Sequence, residues 1–248
     1  MRILLTNDDG ISAQGLNKLC ACLAQIADVY VFAPTFEQSA TGHGITVKTP
    51  LRITKWQIEG AKEAFAVDGL PADCVKLACE AVLDGLPDLV ISGANHGTNL
   101  ASDVIYSGTV SAALEGYLLG RPSLAVSLED VQSNLPEACQ FVCDFVLWWQ
   151  QNNWQPKSMF NINVPAQKIK GSKYAQLGVR VYRNTFEERI DPRGNSYYWL
   201  SGSPEDQGYQ GRTDVEAMAE GYITITPLST DLTNYKVLDF LKENEPLT

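Results

Sequence analysis

The chain has 248 residues, of which 45% are hydrophobic and 19% charged, with a formal net charge of -10. The length suits one large α/β domain or a core with an appendage, and the balance is that of a folded globular protein rather than a disordered or fibrous one. So acidic a chain repels polyanions and argues against a duplex nucleic acid as partner. A small anionic substrate stays open if local cations, backbone N–H groups or a bound divalent metal receive it.

In chain order, residues 2–6 form a short apolar run that stops at Asn7-Asp8-Asp9-Gly10, which reads as a buried strand emptying into a polar loop. Asp8 and Asp9 arrive too soon for the apolar region of about 7 to 15 residues that a signal peptide needs. No apolar run approaches the roughly 18 residues of a membrane span. The expectation is a cytoplasmic protein with no membrane partner.

Leu16, Leu19, Cys20, Leu23 and Ile26 repeat at helical spacing over residues 13–26. A second strand at 29–33 is cut by Pro34 and followed by a Gly-rich polar loop through Gly44. Two charged, β-compatible stretches occupy 52–65, and Pro71 opens a helix running to residue 83. Residues 88–91 give another apolar strand, followed by a loop over 92–108, a helix over 109–119, a strand over 121–128 and a helix over 136–150.

Short apolar strands alternating with amphipathic helices predict an α/β fold, a Rossmann-like, mostly parallel sheet flanked by helices. Ligands of such sheets bind beyond the carboxyl ends of the strands, where the loops after Thr6, Ala33 and Ile91 lie. The core is expected to span 1–165. From 166 to 248 the pattern changes, with Tyr174, Tyr182, Tyr197, Tyr198, Trp199 and Tyr209 among Gly, Asn and charged residues. This predicts a β-hairpin extension within the same domain, suited to oligomerisation, although ordinary surface structure would need no partner. The six cysteines, at 20, 22, 74, 79, 139 and 143, show no two-residue gap and read as reduced core thiols.

Adjacent carboxylates at the end of a buried strand suit a hard cation such as Mg2+ or Mn2+, which takes oxygen donors and keeps several waters. A turn and helix-capping pair before Gly10 would explain the same residues without any ligand. Ser39 in the second loop and Asn95 in the third could add neutral oxygens, or be plain turn residues. Ser107, Gly108 and Thr109 lead into a helix whose free N–H groups make an anion cradle; a simple N-cap is the rival explanation. Both histidines, His43 and His96, fall in polar loops, but no Gly-x-Ser-x-Gly elbow marks an activated serine. Neither a Walker A loop nor a dinucleotide glycine pattern is present, and adjacent acids differ from the Asp-x-Asp of an aspartyl-phosphate enzyme.

Thr6-Asn7-Asp8-Asp9-Gly10, Ser39-Ala40-Thr41-Gly42, Ser92-Gly93-Ala94-Asn95 and residues 103–110 together resemble the SurE survival protein family. Residues 71–75, 161–165 and 221–227 carry the resemblance over nearly the whole chain. It implies a Rossmann-like core and one divalent ion per subunit, Mg2+ or Mn2+, held by Asp8, Asp9, Ser39 and Asn95. Ser107, Gly108 and Thr109, with Asn95, match the phosphate-binding stretch, and Asp8 and Asp9 are the catalytic candidates. The implied activity is a 5'/3'-nucleotidase acting on nucleoside monophosphates, extending to polyphosphate, in homodimers or homotetramers. A non-catalytic nucleotide sensor using the same cradle is the rival reading. Two departures stand out: Thr35-Phe36-Glu37-Gln38 replaces a stretch that often carries two arginines, and Ala101 replaces a common glycine.

Overall fold

The computed structural model describes residues 1–152, 158–183, 185–207 and 213–244. The strands are β1 (Arg2–Thr6), β2 (Asp28–Pro34), β3 (Ile53–Trp56), β4 (Ala61–Val67), β5 (Leu89–His96), β6 (Ser123–Leu128) and β7 (Met159–Val164). After them come β8 (Ser172–Tyr174), β9 (Val179–Arg183), β10 (Phe186–Ile190), β11 (Ser196–Leu200), β12 (Ser203–Gln207) and β13 (Ile223–Leu228). The helices are α1 (Gln14–Leu23), α2 (Pro71–Leu77), α3 (Gly108–Leu118), α4 (Leu135–Gln151), α5 (Asp214–Ala219) and α6 (Tyr235–Asn244).

Among the described residues the main sheet runs β3-β4-β2-β1-β5-β6-β7-β13-β8. The six strands from β4 to β7 in that order are parallel. β3 adds antiparallel at one edge, and β13 antiparallel beside β7. This is the mostly parallel α/β sheet that the alternation of elements predicts. Successive residues of a strand face opposite sides, so Ile3, Leu5, Val29, Val31, Leu89 and Ile91 pack with α1 and α4. Leu4, Phe32 and Val90 pack with α2 and α3 on the other face. A strand covered twice has no polar side, which is why these segments read as unbroken apolar runs.

From β1 the chain winds outward through β2 to β4, then returns to place β5 on the other side of β1. The carboxyl ends of β1 and β5 therefore flank the point where strand order reverses, the place such sheets offer a ligand.

β5 differs from the expected short strand. Pairing with β6 breaks after Ser92 and resumes with Asn95 opposite Ser127 and His96 opposite Leu128. Gly93, at φ 139°, makes the break: a Cβ there would lie 2.3 Å from the Val126 carbonyl oxygen. Asn95 is thus carried on a bulged strand end, a firmer mount than the loop read from the sequence.

The extension beyond β7 holds two antiparallel ribbons, β10 with β11 and β9 with β12. Of the aromatic residues noted in this region, Tyr209 lies outside the described residues. Phe186, Tyr198 and Trp199 are more than half exposed, and α6 contributes no buried residue. The ribbon base is anchored: Arg180 pairs with Asp103 at 2.9 Å and Asp206 at 2.7 Å, and Tyr182 donates its hydroxyl to Asp103 at 2.9 Å. Asp103 belongs to the helical turn Ala101–Ile105 that leads into Ser107. No helix among the described residues is long and apolar enough to cross a membrane.

Candidate active site

The turn after β1 closes when Asn7 Nδ2 donates to the Gly10 carbonyl at 2.9 Å. Asp8 then points inward, only 5% exposed, while Asp9 is half-buried. Asp8 Oδ1 accepts from the Thr109 hydroxyl at 2.5 Å, and its backbone carbonyl accepts from Gln38 N–H at 2.7 Å. A Cβ built on Gly108 would lie 2.9 Å from Asp8 Oδ2 and 3.2 Å from the Gln38 carbonyl. The loop after β1, the loop after β2 and the start of α3 therefore meet at Asp8.

The third loop joins through Asp9, whose Oδ2 accepts the His96 N–H at 3.2 Å. Asn95 precedes His96 and gives its Nδ2 to the Gly97 carbonyl at 2.7 Å. Ser39 is exposed and donates to Glu37 Oε1 at 2.7 Å, one residue after the Gln38 that grips Asp8.

Burial pushes the Asp8 carboxyl up to about 6 and the Asp9 charge adds to it, although the Thr109 hydroxyl pulls the other way. Asp9 is also raised, first by burial and further by the negative charge of Glu37, against the His96 N–H. Glu37 therefore adds a further anion beside the two carboxylates. Two crowded carboxylates are a poor arrangement without a cation and a good one with it.

Among the described residues, no three of His, Cys, Asp and Glu gather to hold a metal. A cation here must draw on two carboxylates, neutral oxygens and water, the donor set of Mg2+ or Mn2+ rather than of zinc. Asn7 Oδ1, buried without a hydrogen-bond partner, is one more oxygen at the end of β1. The residues present fit a hard divalent ion.

Ser107 is the N-cap of α3: its Oγ accepts from Val110 N–H at 3.1 Å. Capping uses an acceptor lone pair and leaves the Ser107 O–H free to donate. Thr109 is fully buried, with its hydroxyl committed to Asp8. The Gly108 N–H belongs to the first turn, whose donors a helix leaves without intrahelical partners. Free donors of this kind at the positive end of the α3 dipole are what an anion cradle requires.

Several supporting contacts are not legible from motif spacing. His43 Nε2 lies 2.8 Å from Glu115 Oε2, and Lys76 Nζ lies 3.3 Å from Glu115 Oε1. The His43 contact, helped by Lys76, holds the buried Glu115 carboxyl below its usual range, tying the loop after β2 to α3. Asn99 is enclosed by polar neighbours: its N–H donates to Asn163 Oδ1 at 2.8 Å, its Nδ2 to Ser127 Oγ at 2.7 Å, and its carbonyl accepts from Asn161 Nδ2 at 2.7 Å. The signal available in the sequence was Asn161-x-Asn163, two amides on one face of a buried strand. Ala101 takes a left-handed φ of 52° and donates its N–H to Asp214 at 2.8 Å.

Comparison with known proteins gives one answer. A family model described as Survival protein SurE matches residues 3–184. A protein of Pelotomaculum thermopropionicum named 5'-nucleotidase SurE is 49% identical over 246 residues, 98% of this chain and 95% of that relative. A Moorella thermoacetica protein of the same name is 49% identical over 240 residues, 95% and 92% of the two chains. The crystal structure of the SurE protein from Aquifex aeolicus matches with a TM-score of 0.84 at 37% identity, covering 99% of this chain and all of that one. Motif by motif, over the full length and in the fold itself, this chain belongs to the SurE family.

Proposed function

We propose that the protein hydrolyses nucleoside monophosphates to nucleoside and phosphate at the carboxyl end of β1. The observation that carries this reading is the Asp8 carboxylate, fixed by Thr109 against the first turn of α3 with Asp9 beside it. A metal site and an anion site then share one wall. Asp8, Asp9, Ser39 and Asn95 would hold a divalent cation, Mg2+ or Mn2+, which when bound supplies positive charge to the phosphoryl oxygens. The Ser107 hydroxyl and the N–H groups opening α3 orient the phosphate, and this positioning does most of the catalytic work. Asp9, less buried than Asp8, is the carboxylate with room to take a proton from the attacking water.

The same reading extends to 3'-nucleotides and polyphosphate, to a dimer or tetramer joined through the exposed aromatic ribbons and α6, and to a reducing cytoplasm that suits six free cysteines. The test is phosphate release from 5'- and 3'-nucleoside monophosphates with Mg2+, Mn2+ or a chelator, beside a binding assay. Turnover with either metal and none in chelator is expected. Nucleotide binding without turnover under both metals would favour the sensor instead.

Gly108 offers a finer check. A methyl at Gly108 would press on Asp8 Oδ2 and the Gln38 carbonyl. Gly108→Ala is therefore expected to cut kcat/KM by about a hundredfold, since a misplacement of about one ångström can cost that much. Its melting temperature should stay close to wild type, because alanine suits a helix better than glycine by up to about 1 kcal/mol. Steady-state kinetics and a thermal melt on the same preparation decide it.

A further inference from the structure

On the face of the sheet away from α2 and α3, two helices distant in sequence bring thiols together. Cys22 sits in the last turn of α1 and Cys143 in the middle of α4. Their sulfurs are 3.0 Å apart although the residues are 121 positions apart in the chain. A disulfide bond is about 2.05 Å long, so closing it needs a movement of about one ångström, within reach of side-chain rotation. Cys143 is buried and Cys22 is half-buried, which gives a reagent one way in. Cys139, one turn earlier on the buried side of α4, lies near Cys22. Cys20 faces the sheet, and Cys74 and Cys79 lie in the core on the opposite side. Since no three of His, Cys, Asp and Glu among the described residues can hold a metal, these sulfurs are a dithiol rather than part of a metal cage.

We propose that Cys22 and Cys143 are a redox modification site, closing to a reversible disulfide that staples α1 to α4 when the protein meets a small-molecule disulfide such as oxidised glutathione. The Cys22 thiolate attacks one sulfur of the reagent, forming a mixed disulfide and releasing the first glutathione, which takes the proton. Cys143 then attacks Cys22 Sγ, forming the protein disulfide and releasing the second glutathione with the second proton. Two protein thiols are oxidised and one glutathione disulfide is reduced. The buried Cys143 makes the second step slow. Because the bond closes a long stretch of chain, it restricts the unfolded state strongly. It lies roughly 12 Å along α1 from that helix's first turn, so it stabilises the scaffold without touching the catalytic groups.

The experiment treats the reduced full-length protein with oxidised glutathione, counts free thiols, maps peptides without reduction and records thermal melts. Of the six thiols, two should disappear. The Cys22 and Cys143 peptides should be joined, and the melting temperature should rise by about 5 to 10 °C. Phosphate release should stay within about twofold, and a dithiol reductant should reverse every change. Cys22→Ser, at a half-buried position, should lose no thiol and show no shift. The proposal is overturned if glutathione remains on Cys22, if the bond goes to Cys139, if all six thiols survive, or if the bond forms and the melt does not move.

Discussion

Asp9→Asn should lower phosphate release from nucleoside monophosphates by about a thousandfold or more while the protein stays folded. Removing one charged group from the proposed metal and phosphoryl-transfer site forfeits charge stabilisation of several kcal/mol, and losses of about 10²- to 10³-fold follow even from a single neutral donor. Asparagine keeps the shape and the oxygen that accepts the His96 N–H, so the surrounding loops have no reason to move. Burial and Glu37 already disfavour the Asp9 charge. In chelator, then, the melting temperature of Asp9→Asn should equal or exceed that of the parent. A folded variant that keeps full turnover would remove Asp9 from the mechanism.

Gly15→Ala should damage the site from outside it. A Cβ on Gly15 would stand 1.9 Å from the backbone oxygen of Ala94, the residue before Asn95. Backbone cannot rotate away as a side chain can, so either α1 lifts from the sheet or the Asn95 segment shifts. Overpacking of this kind costs about 1 to 3 kcal/mol, and the helix propensity gained by alanine returns at most about 1 kcal/mol. The expected result is a melting temperature lower by about 3 to 8 °C, with metal affinity and kcat falling together because Asn95 is displaced. Unchanged metal affinity in a folded Gly15→Ala protein would show that α1, and not the Asn95 segment, gives way to the added methyl.

The alternation of elements, the three polar loops and the acids closing β1 were all legible in the sequence, because a strand covered on both faces is apolar throughout and its end is marked by the first polar residues. Asn95 on a strand end was not legible, since the bulge depends on Gly93 meeting Val126 from a different strand. The commitment of Thr109 to Asp8 was equally hidden: spacing places Thr109 at a helix start, and only the sheet brings residues 101 positions apart to 2.5 Å. His43 with Glu115, and Asn99 with Asn161 and Asn163, escaped for the same reason.

By itself the sequence determined most strands and helices of the parallel core, though not α5 and α6 in the extension, and which residues with oxygen donors stand near the strand ends, because hydrophobic period and turn chemistry act over a few residues. Tertiary structure alone decided that Gln38, Gly108 and Thr109 close on Asp8, that His96 reaches Asp9, and that Cys22 faces Cys143. Those contacts come from the order of strands and the packing of helices across them, a long-range property that no local pattern of residues encodes.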